Sequence, residues 1–220
     1  MSNPRIVLHH CPQTRSMRTL WLLYELGVPF ELVEHAFGKN LRDPSFLAKS
    51  PAGRVPALEF DGQSLMETGA MAELLCERFA QAGLGRRPED PERLDWLQWV
   101  HFAETISQHA ASLTQQHIVL YKDEMRSPVL MKIEAARLAK CYEAMEPLLS
   151  TQDYLLSGFS AADIGVGQAV YMARHFAKTD PYPGVQAWFE RITERLAFQK
   201  CLPGDVRLYA QDFYPAWDVA

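Results

Sequence analysis

Residues 50–68 restrict the fold more than any other part of the chain: Ser50-Pro51-Ala52-Gly53-Arg54-Val55-Pro56-Ala57-Leu58-Glu59-Phe60, then Asp61-Gly62, then Ser64-Leu65-Met66-Glu67-Thr68. Pro56 stands directly before an apolar run that reads as a strand, and a proline there must be at an edge, a first position or a bulge. An X-Pro bond adopts the cis form at a cost of about 0.5–1 kcal/mol, against about 2.5–4 kcal/mol before other residues. A cis bond would turn the backbone N–H and C=O of Val55 outward as a short unpaired edge, onto which a peptide-like ligand can add as a strand. Asp61-Gly62 is a two-residue hairpin signal, so residues 57–60 and 64–67 are expected to pair antiparallel. Glu67-Thr68-Gly69 then opens a helix whose free N–H groups and hydroxyl suit a carboxylate.

The preceding residues alternate strand and helix. Residues 5–9 form a short apolar run, Leu20, Leu23 and Leu26 recur at helical spacing up to Gly27, and residues 30–35 give a second strand after Pro29. So short a crossover implies parallel pairing. A helical turn at 43–49, the hairpin and a helix over about 68–80 complete a small thioredoxin-like domain, βαβαββα, spanning residues 1–82. Residues 83–90, with Gly83, Gly85 and Pro88, read as a linker.

Residues 91–220 read as an all-helical domain. Leu94, Trp96, Leu97, Trp99, Val100, Phe102, Ala103 and Ile106 nearly encircle the first helix, which predicts burial on several sides and a place at a subunit contact. Met131, Ala135, Leu138, Cys141, Tyr142, Met145, Leu148 and Leu149 mark one amphipathic face. Ser160-Ala161-Ala162-Asp163 is a capping box opening another helix, and Val185, Trp188, Phe189 and Ile192 mark a last one.

The 22 basic residues are scattered and the net charge is -5, which argues against nucleic-acid or anionic-membrane partners. No apolar stretch approaches the ~20 residues needed to span a bilayer. Cys11, Cys76, Cys141 and Cys201 are far apart, as expected for free thiols in a reduced, cytoplasmic setting.

Reactive chemistry is sought where the first strand meets the first helix, at His9-His10-Cys11-Pro12-Gln13-Thr14-Arg15-Ser16. A thiol of ordinary pKa is only about 3% thiolate at pH 7, and lowering that pKa by two units takes about 2.7 kcal/mol. A helix N-terminus supplies about 0.3–1 kcal/mol, so a further donor such as the hydroxyl of Thr14 or Ser16 is required. Adjacent strand residues point to opposite faces, which disfavours a metal site at His9-His10-Cys11. His101, His109 and His117, spaced by eight, are candidates for lining a pocket or for plain core and surface roles.

Residues 50–58 together with Glu67-Thr68-Gly69-Ala70-Met71 resemble the cytosolic glutathione transferase family of bacterial type, and Ser160 to Asp163 is similar to the capping box of that family's helical domain. The resemblance implies a homodimeric detoxification enzyme that uses glutathione as co-substrate, with no metal, and conjugates it to a small electrophile whose pocket comes from the helical domain. It places glutathione beside Val55 and Pro56, its γ-glutamyl group at Glu67 and Thr68, and its far carboxylate on Lys39 or Lys49. The activating residue stays open among Thr14, Ser16 and Cys11, with Thr14 favoured because a residue ahead of the first turn can face outward while Ser16 is better placed to cap. Two alternatives accompany this reading: a glutathione-dependent disulfide reductase or peroxidase acting through Cys11, and a non-catalytic glutathione-binding protein.

Overall fold

The computed structural model describes residues 4–204, 208–209 and 211–213, apart from the side chains of residues 39 and 40. Two compact units divide the chain, one of residues 1–96 with 194–208, the other of residues 97–193 with 209–220.

In the first unit, β1 (Ile6–His10) is buried along its whole length, as a strand covered on both faces must be. It pairs parallel with β2 (Glu31–Glu34) in the register Leu8 to Leu32, and antiparallel with β3 (Ala57–Phe60) in the register Leu8 to Leu58. β4 (Gln63–Leu65) closes the sheet order β2-β1-β3-β4. The β3–β4 turn has positive φ at both Asp61 and Gly62, as a type I′ hairpin turn requires. α1 (Ser16–Leu26) crosses between β1 and β2, packs Met17, Leu20, Trp21 and Leu23 inward, and ends at Gly27 in the left-handed region. A turn of 3-10 helix (Lys39–Arg42) and the short α2 (Pro44–Leu47) precede β3, and α3 (Thr68–Arg78) follows β4 and packs on α1. This arrangement, a βαβ half joined to a ββα half, is thioredoxin-like.

Two close fits hold the remainder of this unit. A Cβ on Gly85 would lie 2.6 Å from that of Cys76, so the segment after α3 lies flat on the helix. Arg195 forks onto both carboxylate oxygens of Glu25 at 2.7 Å, and Phe198 of α8 (Leu196–Gln199) meets Trp21 edge-on at 4.8 Å.

The second unit is helical. The unit boundary falls inside α4 (Arg93–Thr114), which continues as a π-helical turn, Gln115–Val119. The sequence predicts burial of α4 on several sides, one of them a subunit contact; within one chain the helix is buried along a single stripe. Trp96, Val100, Ala103, Ile106, Ala110 and Leu113 form one buried stripe, whereas Leu94 is 76% exposed and Trp99 and Phe102 are partly exposed. Residue type indicated how much apolar surface the helix carries, but a single chain covers only one side of it.

α5 (Pro128–Leu149) starts at Ser127, whose hydroxyl accepts the Leu130 amide, and buries the expected face from Ala135 to Leu149. α6 (Ala161–Ala173) carries the capping box: Asp163 accepts the amides of Ser160 and Leu155 at 2.9 and 3.0 Å and the Trp188 indole N–H at 2.9 Å. Burial pushes the Asp163 carboxyl up, against the pull of these four donors, counting the Ser160 hydroxyl. α7 (Pro183–Thr193) begins against the end of α5. The Glu146 carboxylate accepts the Gly184 and Val185 amides, and a Cβ on Gly184 would lie 2.6 Å from the Ser150 nitrogen.

Candidate functional site

The β1–α1 turn is built around hydroxyls. Gln13 takes a positive φ of 54, its side-chain oxygen accepts the amide of Leu208, and the chain then enters α1 without a side-chain cap. Ser16, expected to cap, instead points back into the turn. Its Oγ accepts the Cys11 amide at 3.1 Å and lies 2.8 Å from His10 Nδ1 and 3.1 Å from the Cys11 carbonyl. Thr14 Oγ1 donates to the Cys11 carbonyl at 2.8 Å, accepts the Ser16 amide at 3.3 Å and lies 2.8 Å from Ser16 Oγ. Ser16 is fully buried and Thr14 partly exposed, so the outer end of the network is Thr14.

Electrostatics separate the other groups of this turn. Cys11 is buried, and burial, aided by the charge of Glu34, pushes its thiol up to about 11. His10 is buried too, and desolvation draws its imidazole down to about 4 against the opposing pull of the Ser16 backbone, so the ring is neutral near pH 7. The neighbouring His9 serves other partners: its ring lies 3.0 Å from His35 Nε2 and 2.9 Å from Glu59 Oε1.

The motif over residues 50–56 folds as a locked loop. Ser50 Oγ donates to the Arg54 carbonyl at 2.7 Å and accepts the Arg54 amide at 3.3 Å. Gly53 has φ 61, and a Cβ there would stand 2.9 Å from the Leu41 carbonyl oxygen, so both conformation and space require glycine. The Val55–Pro56 bond is cis. Val55 packs on Leu41, Phe46 and Ala57.

At the start of α3, Glu67 is exposed and holds φ 72, a conformation that costs a non-glycine residue roughly 1–3 kcal/mol and recurs at ligand sites. The Thr68 hydroxyl accepts from Arg18 Nη1 at 3.1 Å, which ties the beginning of α3 to α1. Buried Arg18 and His10 are the residues for which sequence reading found no role. His10 ends β1 and Arg18 lies in the first turn of α1, but nothing in spacing tells that an arginine on one helix meets a hydroxyl fifty positions later. Of the two lysines considered for the far carboxylate, Lys49 pairs with Glu59 at 2.6 Å, and Lys39 lies in the 3-10 turn with its side chain outside the described residues. The three spaced histidines diverge: His109 bonds Glu134 at 2.6 Å, His117 lies over Phe176, and His101 is exposed.

Residues 8–83 match the family model described as glutathione S-transferase, N-terminal domain. Over 199 residues the chain is 30% identical to glutathione S-transferase F13 of Arabidopsis thaliana, covering 85% of this chain and 90% of that protein. It is 29% identical over 204 residues to glutathione S-transferase GstB of Escherichia coli, covering 85% and 92%. Among solved structures, glutathione transferase URE2P8 of Phanerochaete chrysosporium superposes with a TM-score of 0.81 at 21% identity over 91% of this chain and 94% of that one. Glutathione transferase F7 of Populus trichocarpa does so with a TM-score of 0.78 at 26% identity, over 89% and 97%. With a thioredoxin-like sheet, a helical second unit and relatives matched along most of its length, this chain belongs to the glutathione S-transferase family of enzymes.

Proposed function

We propose that the enzyme binds glutathione on its first unit, stabilises the thiolate with the Thr14 hydroxyl, and conjugates the sulfur to small electrophiles. The observation that carries this choice of reaction is the contrast inside one turn: a partly exposed hydroxyl at Thr14 beside a buried thiol pushed up to about 11 at Cys11. A thiol titrating there is about one part in ten thousand thiolate at pH 7. Attack on a disulfide needs the thiolate, so the reductase or peroxidase route through Cys11 is disfavoured. A hydroxyl needs no such ionisation to donate to a glutathione thiolate.

Family membership and the exposed features of the first unit support the placement of the co-substrate. Its peptide backbone pairs with Val55 beside Pro56, its γ-glutamyl ammonium with Glu67, and its α-carboxylate with the Thr68 hydroxyl and amide at the positive end of α3. Lys39 is left as the residue for the far carboxylate, because Lys49 already serves Glu59. Residues 91–220 supply the electrophile pocket and part of a homodimer contact in this reading, and the four free, buried cysteines are in keeping with a cytoplasmic detoxification role. Among the described residues, no helix is long and apolar enough to cross a membrane.

The test is an activity panel pairing glutathione with an aryl halide and with a mixed disulfide, on the wild type, Thr14→Val and Cys11→Ser. Conjugation of the aryl halide that drops at least tenfold in Thr14→Val and persists in Cys11→Ser is the expected result. Disulfide reduction lost in Cys11→Ser points to the thiol route instead, and silence on both substrates to a binding protein.

A further inference from the structure

Ser16 Oγ has four polar neighbours: the Cys11 amide, the Cys11 carbonyl, His10 Nδ1 and Thr14 Oγ1. A hydroxyl accepts two hydrogen bonds and donates one. The Cys11 amide can only donate, so it occupies one acceptor position. The other depends on which nitrogen of the neutral His10 ring carries the proton. With Nδ1 bare, Ser16 gives its proton to His10, and its remaining acceptor position draws the Thr14 proton inward. With Nδ1 protonated, both acceptor positions of Ser16 are filled and Ser16 can no longer accept from Thr14. Its own proton then goes to Thr14 Oγ1, the nearer acceptor at 2.8 Å against 3.1 Å for the Cys11 carbonyl.

We infer that His10 is a positioning residue for thiol activation: as the Nδ1–H tautomer it closes Ser16 Oγ to Thr14, so that Ser16 donates to Thr14 and Thr14 donates to the sulfur of bound glutathione. The inference deepens the reading of Thr14 given above and rests on it. In the structure the Thr14 proton is directed at the Cys11 carbonyl, 2.8 Å away. Rotation about the Cβ–Oγ1 bond redirects that O–H. Each link from His10 through Ser16 to Thr14 polarises the next, which makes Thr14 a stronger donor than an isolated threonine. His10 and Ser16 are both buried, so bulk water does not compete for these positions. Because the ring stays neutral well below pH 7, its tautomer and not its charge sets the direction of the chain.

Two measurements test this. Nitrogen-15 NMR of histidine-labelled wild type reads the His10 tautomer directly. Thiolate absorbance of the glutathione complex, titrated with pH, compares the wild type with Thr14→Val, His10→Phe and His10→Asn, the last of which can place an amide N–H near the Nδ1 position. We expect a protonated Nδ1, and an apparent thiol pKa raised by about half a unit or more in His10→Phe, roughly a threefold loss of thiolate below the pKa. Glutathione affinity should not change in His10→Phe, and His10→Asn should stay near the wild-type thiol pKa. A bare Nδ1 overturns the inference, as does a thiol pKa unmoved in His10→Phe while Thr14→Val raises it. If Thr14→Val itself leaves the thiol pKa unmoved, the Thr14 reading fails and the inference falls with it, a result distinct from the previous two. Should His10→Phe not fold, the wild-type tautomer decides.

Discussion

His10 ties its residue-scale chemistry to stability. Its imidazole titrates near 4 when folded and near 6.5 when unfolded, because burial disfavours the charged ring. Between those values the unfolded chain holds a proton that the folded chain does not, so stability present above pH 6.5 is lost as the pH falls towards 4. The slope is about 1.4 kcal/mol per pH unit, or about 3 kcal/mol over the window. His35, His117 and His175 are drawn down by desolvation too and contribute alike to both proteins, so chemical denaturation at several pH values should show the wild type losing about 3 kcal/mol more than His10→Asn between pH 6.5 and 4; parallel curves would sink the assignment. At the other end of the site, Glu67→Ala with Thr68→Ala should abolish retention on immobilised glutathione. Removing charge-assisted contacts costs about 1.5–3 kcal/mol each, roughly tenfold to more than a hundredfold in affinity. Equal retention by the double variant and the wild type would refute the placement of the γ-glutamyl group.

At the scale of elements, glycine and a capping carboxylate decide how helices meet. The Cβ of an alanine at position 184 would stand 2.6–2.9 Å from backbone atoms of Leu149 and Ser150, and backbone cannot swing aside as a side chain can. Gly184→Ala should therefore lower stability by about 1–3 kcal/mol through a forced shift of α7 against α5, seen as a lower thermal midpoint. Gly158→Ala is its control, because a Cβ there meets nothing within 4 Å. Asp163→Ala leaves the Leu155 and Ser160 amides and the Trp188 indole without their acceptor in a fully buried place, and a loss of about 3 kcal/mol or more is expected. Asp163→Asn retains part of the network and should fall between.

For the whole molecule the open question is assembly. α4 carries more apolar surface than one chain buries: Leu94 lies 76% exposed, and Trp99 and Phe102 remain partly exposed after folding. Pairing of two copies would cover such surface, as the proposed homodimer requires. Sedimentation at micromolar concentration should give a species near twice the 25.0 kDa chain mass, and a single species at the chain mass would contradict the dimer.

Local rules carried much of the fold. The Asp61-Gly62 turn, Gly27 after α1 and the Ser160 to Asp163 box each act through backbone groups a few positions apart, so residue type alone announces them. The same holds for the motif around Pro56, where the Gly53 amide donates to the Ser50 carbonyl and Ser50 and Arg54 hydrogen-bond each other within five residues. Sequence could list the groups at the β1–α1 turn but not which of them face outward, because burial depends on what the sheet and helices stack around them. Only the tertiary structure turned Ser16 inward towards His10 and raised the Cys11 thiol by desolvation. It also brought Arg18 to Thr68 across fifty residues, and left part of the apolar surface of α4 uncovered. Those outcomes depend on which groups the packed sheet and helices bury or expose, which no local pattern encodes.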